Sequence, residues 1–150
     1  MQRPVLVIDD DADVLSIMSR FLAHSGYEPV TARTEAEGMR LLREREPLVV
    51  VLEPYAFGPD RWTRIASLAG ALEARGGPPV LAVSTLAGEG DQALAAGCAG
   101  FLAKPVSPAR VLREMEGLLG APVASAPGIV LPAGALPVHR APLEMAPSAA

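Results

Sequence analysis

Pro47-Leu48-Val49-Val50-Val51-Leu52-Glu53 is an apolar, largely β-branched run that closes on a single carboxylate. A run of this kind is typical of a strand that is buried on both faces in the middle of a parallel sheet. In open α/β sheets, ligands bind just outside the carboxyl ends of the strands. We therefore expect Glu53 to lie at the sheet edge where functional side chains collect.

Three further apolar runs are followed by polar residues in the same way. They are residues 5–8 before Asp9 and Asp10, residues 80–83 before Ser84 and Thr85, and residues 101–103 before Lys104. Because the carboxyl ends of parallel strands meet at one edge of a sheet, these side chains are predicted to converge with Glu53. That edge would hold three carboxylates, one ammonium and one hydroxyl, which either Ser84 or Thr85 supplies.

Segments with helical spacing of apolar residues separate the predicted strands. Thr34-Glu35-Ala36-Glu37 matches a capping box, and Ser107-Pro108 places proline at the first helical position. Five strands alternating with five helices up to Leu119 imply right-handed crossovers and a parallel sheet covered on both faces. The predicted fold class is therefore doubly wound α/β.

Length and composition limit the classes of protein that fit this chain. Its 150 residues, 50% of them hydrophobic, suit one globular domain with a substantial core. The net charge of −4 and the scattered basic residues argue against direct nucleic-acid binding. No apolar run approaches the roughly 20 residues that span a bilayer, and no leader precedes the first strand, so a cytoplasmic protein away from the membrane is expected. The lone Cys98, in a Gly/Ala context, is expected to be a packed small residue.

The composition changes beyond Gly120. Prolines recur there at every fifth position from residue 122, and the ionisable residues are His139, Arg140 and Glu144. A five-residue period does not keep one face of a polyproline helix aligned, so it predicts no single binding stripe. We divide the chain into a domain at residues 1–120 and an Ala/Pro-rich disordered tail at residues 121–150, with a docking segment through Ile129-Val130-Leu131 as the alternative.

The predicted edge has a charge imbalance with chemical consequences. Three carboxylates within a few ångström repel one another, and Lys104 alone does not offset them, so the group either retains a proton or binds a hard divalent cation. Mg²⁺ is the natural candidate. A cation beside a lysine and a hydroxyl also suits an anion with several oxygens, such as a phosphoryl group.

Residues 4–119 resemble the response-regulator receiver domain of bacterial two-component signalling. The resemblance rests on Val7-Ile8-Asp9-Asp10, the strand that ends at Glu53, the hydroxyl after the fourth strand, and Phe101-x-x-Lys104-Pro105. It implies a flavodoxin-like (βα)5 fold with strand order 2-1-3-4-5. It also implies Mg²⁺ binding and transfer of a phosphoryl group from a histidine kinase to an aspartate.

The resemblance assigns metal ligands by position. Asp9 and Asp10 correspond to the metal-binding acidic pair. Glu53 and the backbone carbonyl of Tyr55 correspond to the other protein ligands of the cation. The metal is Mg²⁺ in this family, and the implied site therefore combines carboxylate and carbonyl oxygens.

The resemblance also assigns switch residues. Ser84 corresponds to the hydroxyl that rearranges toward the phosphoryl group, and Lys104 to the cation that pairs with it. Phe101 corresponds to the aromatic residue whose rotamer reports the active state. Lys104-Pro105 corresponds to a cis peptide bond, which proline tolerates at low cost.

The chain departs from the family pattern at the central residue. The family's phosphoacceptor is Asp, whereas this chain has Glu53; Phe57 and Arg61 stand where the family usually has proline and glycine. The extra methylene moves the carboxylate by about 1 Å, and such a misplacement costs about 100-fold in a positioned reaction. We expect Glu53 to accept phosphate poorly, to weaken Mg²⁺ binding, and to reach toward Lys104 and Ser84 in partial imitation of the phosphorylated state.

These residues favour a stand-alone pseudo-receiver in phosphorelay signalling that is not an enzyme. It would act by docking on a histidine kinase or another signalling protein, with a homodimer as an open alternative. A second hypothesis is a conventional response regulator that is phosphorylated on Glu53 or Asp60. A third is a small Mg²⁺-dependent hydrolase, but the chain lacks a second general base, a glycine-rich phosphate loop and a nucleophile elbow.

Overall fold

A parallel sheet of five strands forms the centre of the protein in the computed structural model, which describes residues 3–120. The strands are β1 (Pro4–Ile8), β2 (Glu28–Ala32), β3 (Val49–Leu52), β4 (Val80–Ser84) and β5 (Gly100–Ala103). They lie in the order β2-β1-β3-β4-β5, and every neighbouring pair is parallel. The predicted (βα)5 flavodoxin-like fold and its strand order are confirmed. The predicted tail and its alternative docking role lie outside the described residues.

Helices follow the strands in alternation. They are α1 (Ala12–His24), α2 (Glu35–Arg45), α3 (Arg61–Ala74), α4 (Gly90–Ala95) and α5 (Pro108–Leu118). Short 3-10 turns at Pro54–Phe57 and Ala87–Glu89 precede α3 and α4. In the part of the chain described here, no helix has both the length and the apolar character needed to cross a membrane.

Side chains at the helix starts satisfy N–H groups that have no partner within the helix. The Thr34 hydroxyl accepts from Glu37 N at 3.2 Å, and the Ser107 hydroxyl accepts from Arg110 N at 3.1 Å. In the predicted capping box, the Glu37 carboxylate would accept from Thr34 N. In the structure it accepts from Arg33 N, one residue earlier. Helices α2 and α5 therefore begin directly after the capping residues that the sequence predicts.

The apolar side chains form one layer on each face of the sheet. One layer joins alternate strand residues to α2, α3 and α4 and includes Leu6, Ile8, Val50, Leu52, Leu42, Ile65, Leu72 and Ala93. The other joins the remaining strand residues to α1 and α5 and includes Val5, Val7, Val49, Val51, Leu15, Met18, Leu22 and Met115. All four residues of β3 are buried, which explains why its sequence is continuously apolar.

Helix α2 approaches the sheet closely through a glycine. A Cβ atom on Gly38 would lie 2.6 Å from Cδ1 of Ile8, which is closer than real Cβ atoms come. Gly38 and the Ile8 side chain are therefore packed directly against each other. The contact fixes the distance between α2 and β1. Ile8 is the last residue of β1 and directly precedes Asp9.

Candidate functional site

Backbone hydrogen bonds fix the residues that follow three of the strands. They run from Asp9 N to Ala32 O (3.0 Å), from Glu53 N to Ile8 O (2.8 Å) and from Lys104 N to Ser84 O (2.8 Å). Each donor is the first residue beyond its strand, so the hydrogen-bonded ladder continues one step into the site. The sheet edge thereby brings Asp9, Glu53 and Lys104 together.

The Lys104 ammonium lies between two buried carboxylates. Its Nζ is 2.8 Å from Oδ2 of Asp9 and 2.9 Å from Oε1 of Glu53. The lysine side chain is 20% exposed, whereas the two acidic side chains are 5% and 2% exposed. Lys104 is also the only lysine in the 150-residue sequence. One ammonium therefore balances two acids that are almost completely removed from water.

The Glu53 carboxylate has donors on both oxygens. Besides Lys104, the Thr85 hydroxyl donates to Oε1 at 3.0 Å, and the backbone N–H of Tyr55 donates to Oε2 at 3.1 Å. The Tyr55 contact caps the 3-10 turn at Pro54–Phe57 with the Glu53 side chain. Glu53 thus holds together the segments that follow β3, β4 and β5.

The two hydroxyls after β4 have different partners. The sequence leaves open whether Ser84 or Thr85 faces the acids, and the resemblance selects Ser84. In the structure, Thr85 contacts Glu53, whereas the Ser84 hydroxyl accepts from Leu86 N at 2.9 Å and is almost fully buried. Ser84 therefore orders the chain as it leaves β4, and Thr85 completes the acidic site.

The residues that the resemblance assigns as metal ligands make other contacts in the structure. Asp10 is exposed, and its carbonyl accepts from Arg33. The Tyr55 carbonyl accepts from Gly58 N, and Oδ1 of Asp9 accepts from Asp11 N. Within residues 3–120, no group of three or more His, Cys, Asp or Glu side chains is arranged to hold a metal ion. Lys104 lies between Asp9 and Glu53, and it occupies one oxygen of each of these two acids. Binding of Mg²⁺ by the implied ligands stays a prediction.

Burial and ion pairing act in opposite directions on the two charged groups of the site. Burial raises the pKa of the Asp9 carboxyl, and the contact with Lys104 offsets this only in part. Burial lowers the pKa of Lys104, but its contacts with Asp9 and Glu53 outweigh that effect and leave the pKa above its usual value. The lysine therefore stays protonated at neutral pH, where the buried Asp9 anion carries a desolvation cost.

An ion pair connects two loops at the edge of the site. At the start of α3, Arg61 places Nη2 2.5 Å from Oε2 of Glu89 and Nε 3.3 Å from Oε1. The guanidinium also lies 5.2 Å from the centroid of the Tyr55 ring. In the sequence, Arg61 stands out only as a departure from the family pattern. Its partner had no local signal, because the two residues are 28 positions apart.

Phe101 lies against the start of α4. It is half-buried, and a Cβ atom on Gly90 would be 3.4 Å from Cδ2 of its ring. Glu89, the partner of Arg61, directly precedes Gly90. The ion pair and the aromatic ring therefore hold neighbouring residues of the same segment.

Comparison with known sequences shows what this chain resembles. The profile of the response regulator receiver domain matches residues 5–116. The transcriptional regulatory protein PrrA of Mycobacterium tuberculosis is 35% identical over 120 residues, which cover 77% of this chain and 49% of PrrA. The polar-differentiation response regulator DivK of Brucella ovis is 25% identical over 127 residues, which cover 80% of this chain and 98% of DivK. The chain thus spans about half the length of PrrA.

Solved structures share the fold at lower sequence identity. The chemotaxis response regulator CheY4 of Vibrio cholerae has a TM-score of 0.68 and 20% identity, covering 79% of this chain and 99% of CheY4. A response regulator from Burkholderia pseudomallei, with a phosphorylated aspartic acid, calcium ion and citrate, has a TM-score of 0.67 and 20% identity, covering 87% of this chain and 75% of that one. At these identities, the likeness shows the fold alone.

Proposed function

This chain belongs to the response regulator receiver family of two-component signalling, and from that premise we propose that it is a pseudo-receiver. It would signal by docking on a partner, with Glu53 taking the place of the phosphoacceptor. Receiver domains interact with histidine kinases and other signalling proteins, and they are generally non-enzymatic. A histidine kinase or another signalling protein is therefore the proposed partner.

The burial and bonding of Glu53 carry the proposal. An acceptor carboxylate must direct a free oxygen lone pair at phosphorus in line with the leaving group. Glu53 is 2% exposed, and its oxygens accept from Lys104, Thr85 and the Tyr55 N–H. These donors occupy three of the roughly four lone-pair sites of the carboxylate. Burial restricts the approach of a phosphodonor to the remaining site, and the longer side chain would still misplace it.

The same contacts support partial imitation of a phosphorylated state. A phosphoryl group on the acceptor would bring nearly two negative charges toward Lys104 and a neighbouring hydroxyl. Glu53 brings one negative charge to Lys104 and to the Thr85 hydroxyl. In this proposal Ser84 and Phe101 are the switch residues, because Ser84 orders the exit from β4 and Phe101 contacts the start of α4.

Weak Mg²⁺ binding is part of the proposal. Receiver domains typically bind this cation, but here Lys104 takes one oxygen of each of the two buried acids. We expect wild type to bind Mg²⁺ at least about tenfold more weakly than Glu53→Asp, which pulls the carboxylate back from Lys104. Isothermal titration calorimetry of both proteins measures this, and equal affinities would contradict it.

Intact mass after incubation with acetyl phosphate and Mg²⁺ tests the proposal directly. We expect Glu53→Asp to gain one phosphoryl group, and wild type and Glu53→Gln to gain none. Phosphorylation of wild type that disappears in Glu53→Gln would overturn the proposal and establish a conventional response regulator. Phosphorylation that persists in Glu53→Gln and disappears in Asp60→Asn would place the acceptor on the exposed Asp60 at the start of α3.

A further inference from the structure

An apolar cavity of about 280 Å³ lies between α1 and the segment that joins β5 to α5. Its apolar walls include Val7, Val14, Ile17, Val83, Val106 and Val111. A cavity of roughly 150 Å³ admits benzene, so this one has room for about two aliphatic side chains. Asp9, Glu53 and Lys104 also line it, which places the cavity directly beside the acidic site.

Ile17, which lines the cavity, is an exposed apolar residue. Ile17 is 49% exposed, although its neighbours Leu15 and Met18 on α1 are buried in the core. A half-exposed isoleucine beside an apolar cavity favours an apolar occupant, because covering both removes hydrocarbon surface from water. The cavity and Ile17 together form the surface that we call the α1–α5 cleft.

The chain itself carries a segment suited to the α1–α5 cleft. Residues 121–138 contain no charged side chain, and within them Ile129-Val130-Leu131 is the longest run of branched aliphatic residues. Gly128 and Pro132 flank that run. It therefore presents a short apolar unit without a charge that would need to be desolvated in the cleft.

The end of α5 lies within reach of the cleft. Helix α5 begins beside the cavity and, over 11 residues, rises about 16 Å toward the opposite edge of the sheet. There the Tyr27 hydroxyl donates to the carboxylate of Glu116 at 2.8 Å. Nine residue steps separate Gly120 from Ile129, and at ~3.1 Å per residue they span about 28 Å. The chain can therefore turn back along α5 and bring Ile129 to the cleft.

We propose that Ile129-Val130-Leu131 occupies the α1–α5 cleft of its own chain. The occupied cleft covers Ile17. A partner that needs this face must first displace the segment. This inference goes beyond the pseudo-receiver proposal, because it holds whether or not Glu53 is phosphorylated.

Disulfide trapping in the full chain tests the proposal. Ile17→Cys is combined with Val130→Cys, and the matched control combines Ile17→Cys with Val138→Cys. The native Cys98 is buried, and burial raises the pKa of its thiol to about 11, so it stays out of exchange at neutral pH. With copper-phenanthroline as oxidant, we expect an intramolecular disulfide to form about tenfold faster at position 130 than at position 138.

The product distinguishes the occupants of the cleft. A disulfide-linked dimer at position 130 would show that a second copy supplies the segment, and equal intramolecular rates at both positions would show that no segment is preferred. Either result overturns the proposal.

Methyl NMR of the full chain gives a second test without cysteines. Val130→Asp is expected to shift the Ile17, Val14 and Val106 methyl signals, and Val138→Asp is expected to leave them in place. Unchanged signals in Val130→Asp would also overturn the proposal.

Discussion

Arg61 and Glu89 are 28 positions apart in sequence, yet two nitrogen–oxygen contacts of 2.5 and 3.3 Å join their side chains. Their side chains are 21% and 14% exposed, so the pair is largely shielded from solvent. The contact ties the start of α3 to the turn before α4. It therefore limits the motion of the segment that also contacts Phe101.

Removing this ion pair should cost more than removing the other pair that α3 forms. Arg64 lies 3.5 Å from Glu35, and these side chains are 54% and 28% exposed. We expect Arg61→Gln to lower the free energy of unfolding by about 1 kcal/mol and Arg64→Gln by less than ~0.5 kcal/mol. Urea unfolding measures both, and amide exchange at Gly90 should accelerate only in Arg61→Gln. Equal losses of stability would contradict the role given to the Arg61–Glu89 pair.

Replacing Lys104 should destabilise the fold strongly at neutral pH. Lys104→Met leaves Asp9 and Glu53 buried without their cation, at an expected cost of about 3 kcal/mol. The matched control is Arg110→Met, because Arg110 is also 20% exposed but pairs with the more exposed Glu114. Urea unfolding at pH 7 should show a loss below about 1 kcal/mol for that control. Similar losses in both variants would mean that burial of the acids has no special cost.

The pH dependence of stability should report the buried Asp9. Burial raises its pKa in the folded protein above the unfolded value, so its favourable contribution is complete below the unfolded pKa and is lost as the pH rises through the folded pKa. Asp9→Asn removes this loss and keeps an oxygen for Asp11 N. We expect it to stabilise the protein at pH 7 by on the order of 1 kcal/mol and to flatten the profile above pH 4. The control is Asp10→Asn, at an exposed carboxylate, which should change neither the stability at pH 7 nor the pH profile. A destabilised Asp9→Asn would refute the prediction.

The packing of α2 on β1 should depend on Gly38. An added methyl group would meet Cδ1 of Ile8 at 2.6 Å, so Gly38→Ala is expected to lower the free energy of unfolding by about 1–3 kcal/mol. Gly70 in α3 has nothing within 4 Å of an added Cβ. Gly70→Ala should therefore stabilise the protein by about 0.5–1 kcal/mol through helix propensity. Thermal unfolding of both variants measures the contrast, which would be absent if α2 could move outward freely.

The fold followed from sequence because its signals are local. The valines of β3 and the caps of α2 and α5 each depend on residues within a few positions. Parallel sheets with right-handed crossovers then leave few topologies. The meeting of Glu53 with Lys104 was also predictable, because each directly follows a strand of one sheet.

The sequence did not determine which side chains pair within the site. The choice of Thr85 over Ser84 depends on how the backbone turns after β4, where no pattern distinguishes two adjacent hydroxyls. Asp9 is buried and pairs with Lys104 whereas the adjacent Asp10 is exposed, and two identical neighbouring residues give no sequence signal for which one enters the site. Arg61 and Glu89 depend on two loops meeting in space, for which spacing rules give no signal.

Lys104 also restricts lysine-directed modification of this protein to one position. Because it is the only lysine in the sequence, every acylating reagent or acetyl-transferring enzyme that acts on lysine side chains would act at this one amine. Acylation would remove the positive charge shared by Asp9 and Glu53 and leave two anions facing each other. The degree of lysine labelling in a sample is therefore a direct count of molecules whose central charge balance has been altered.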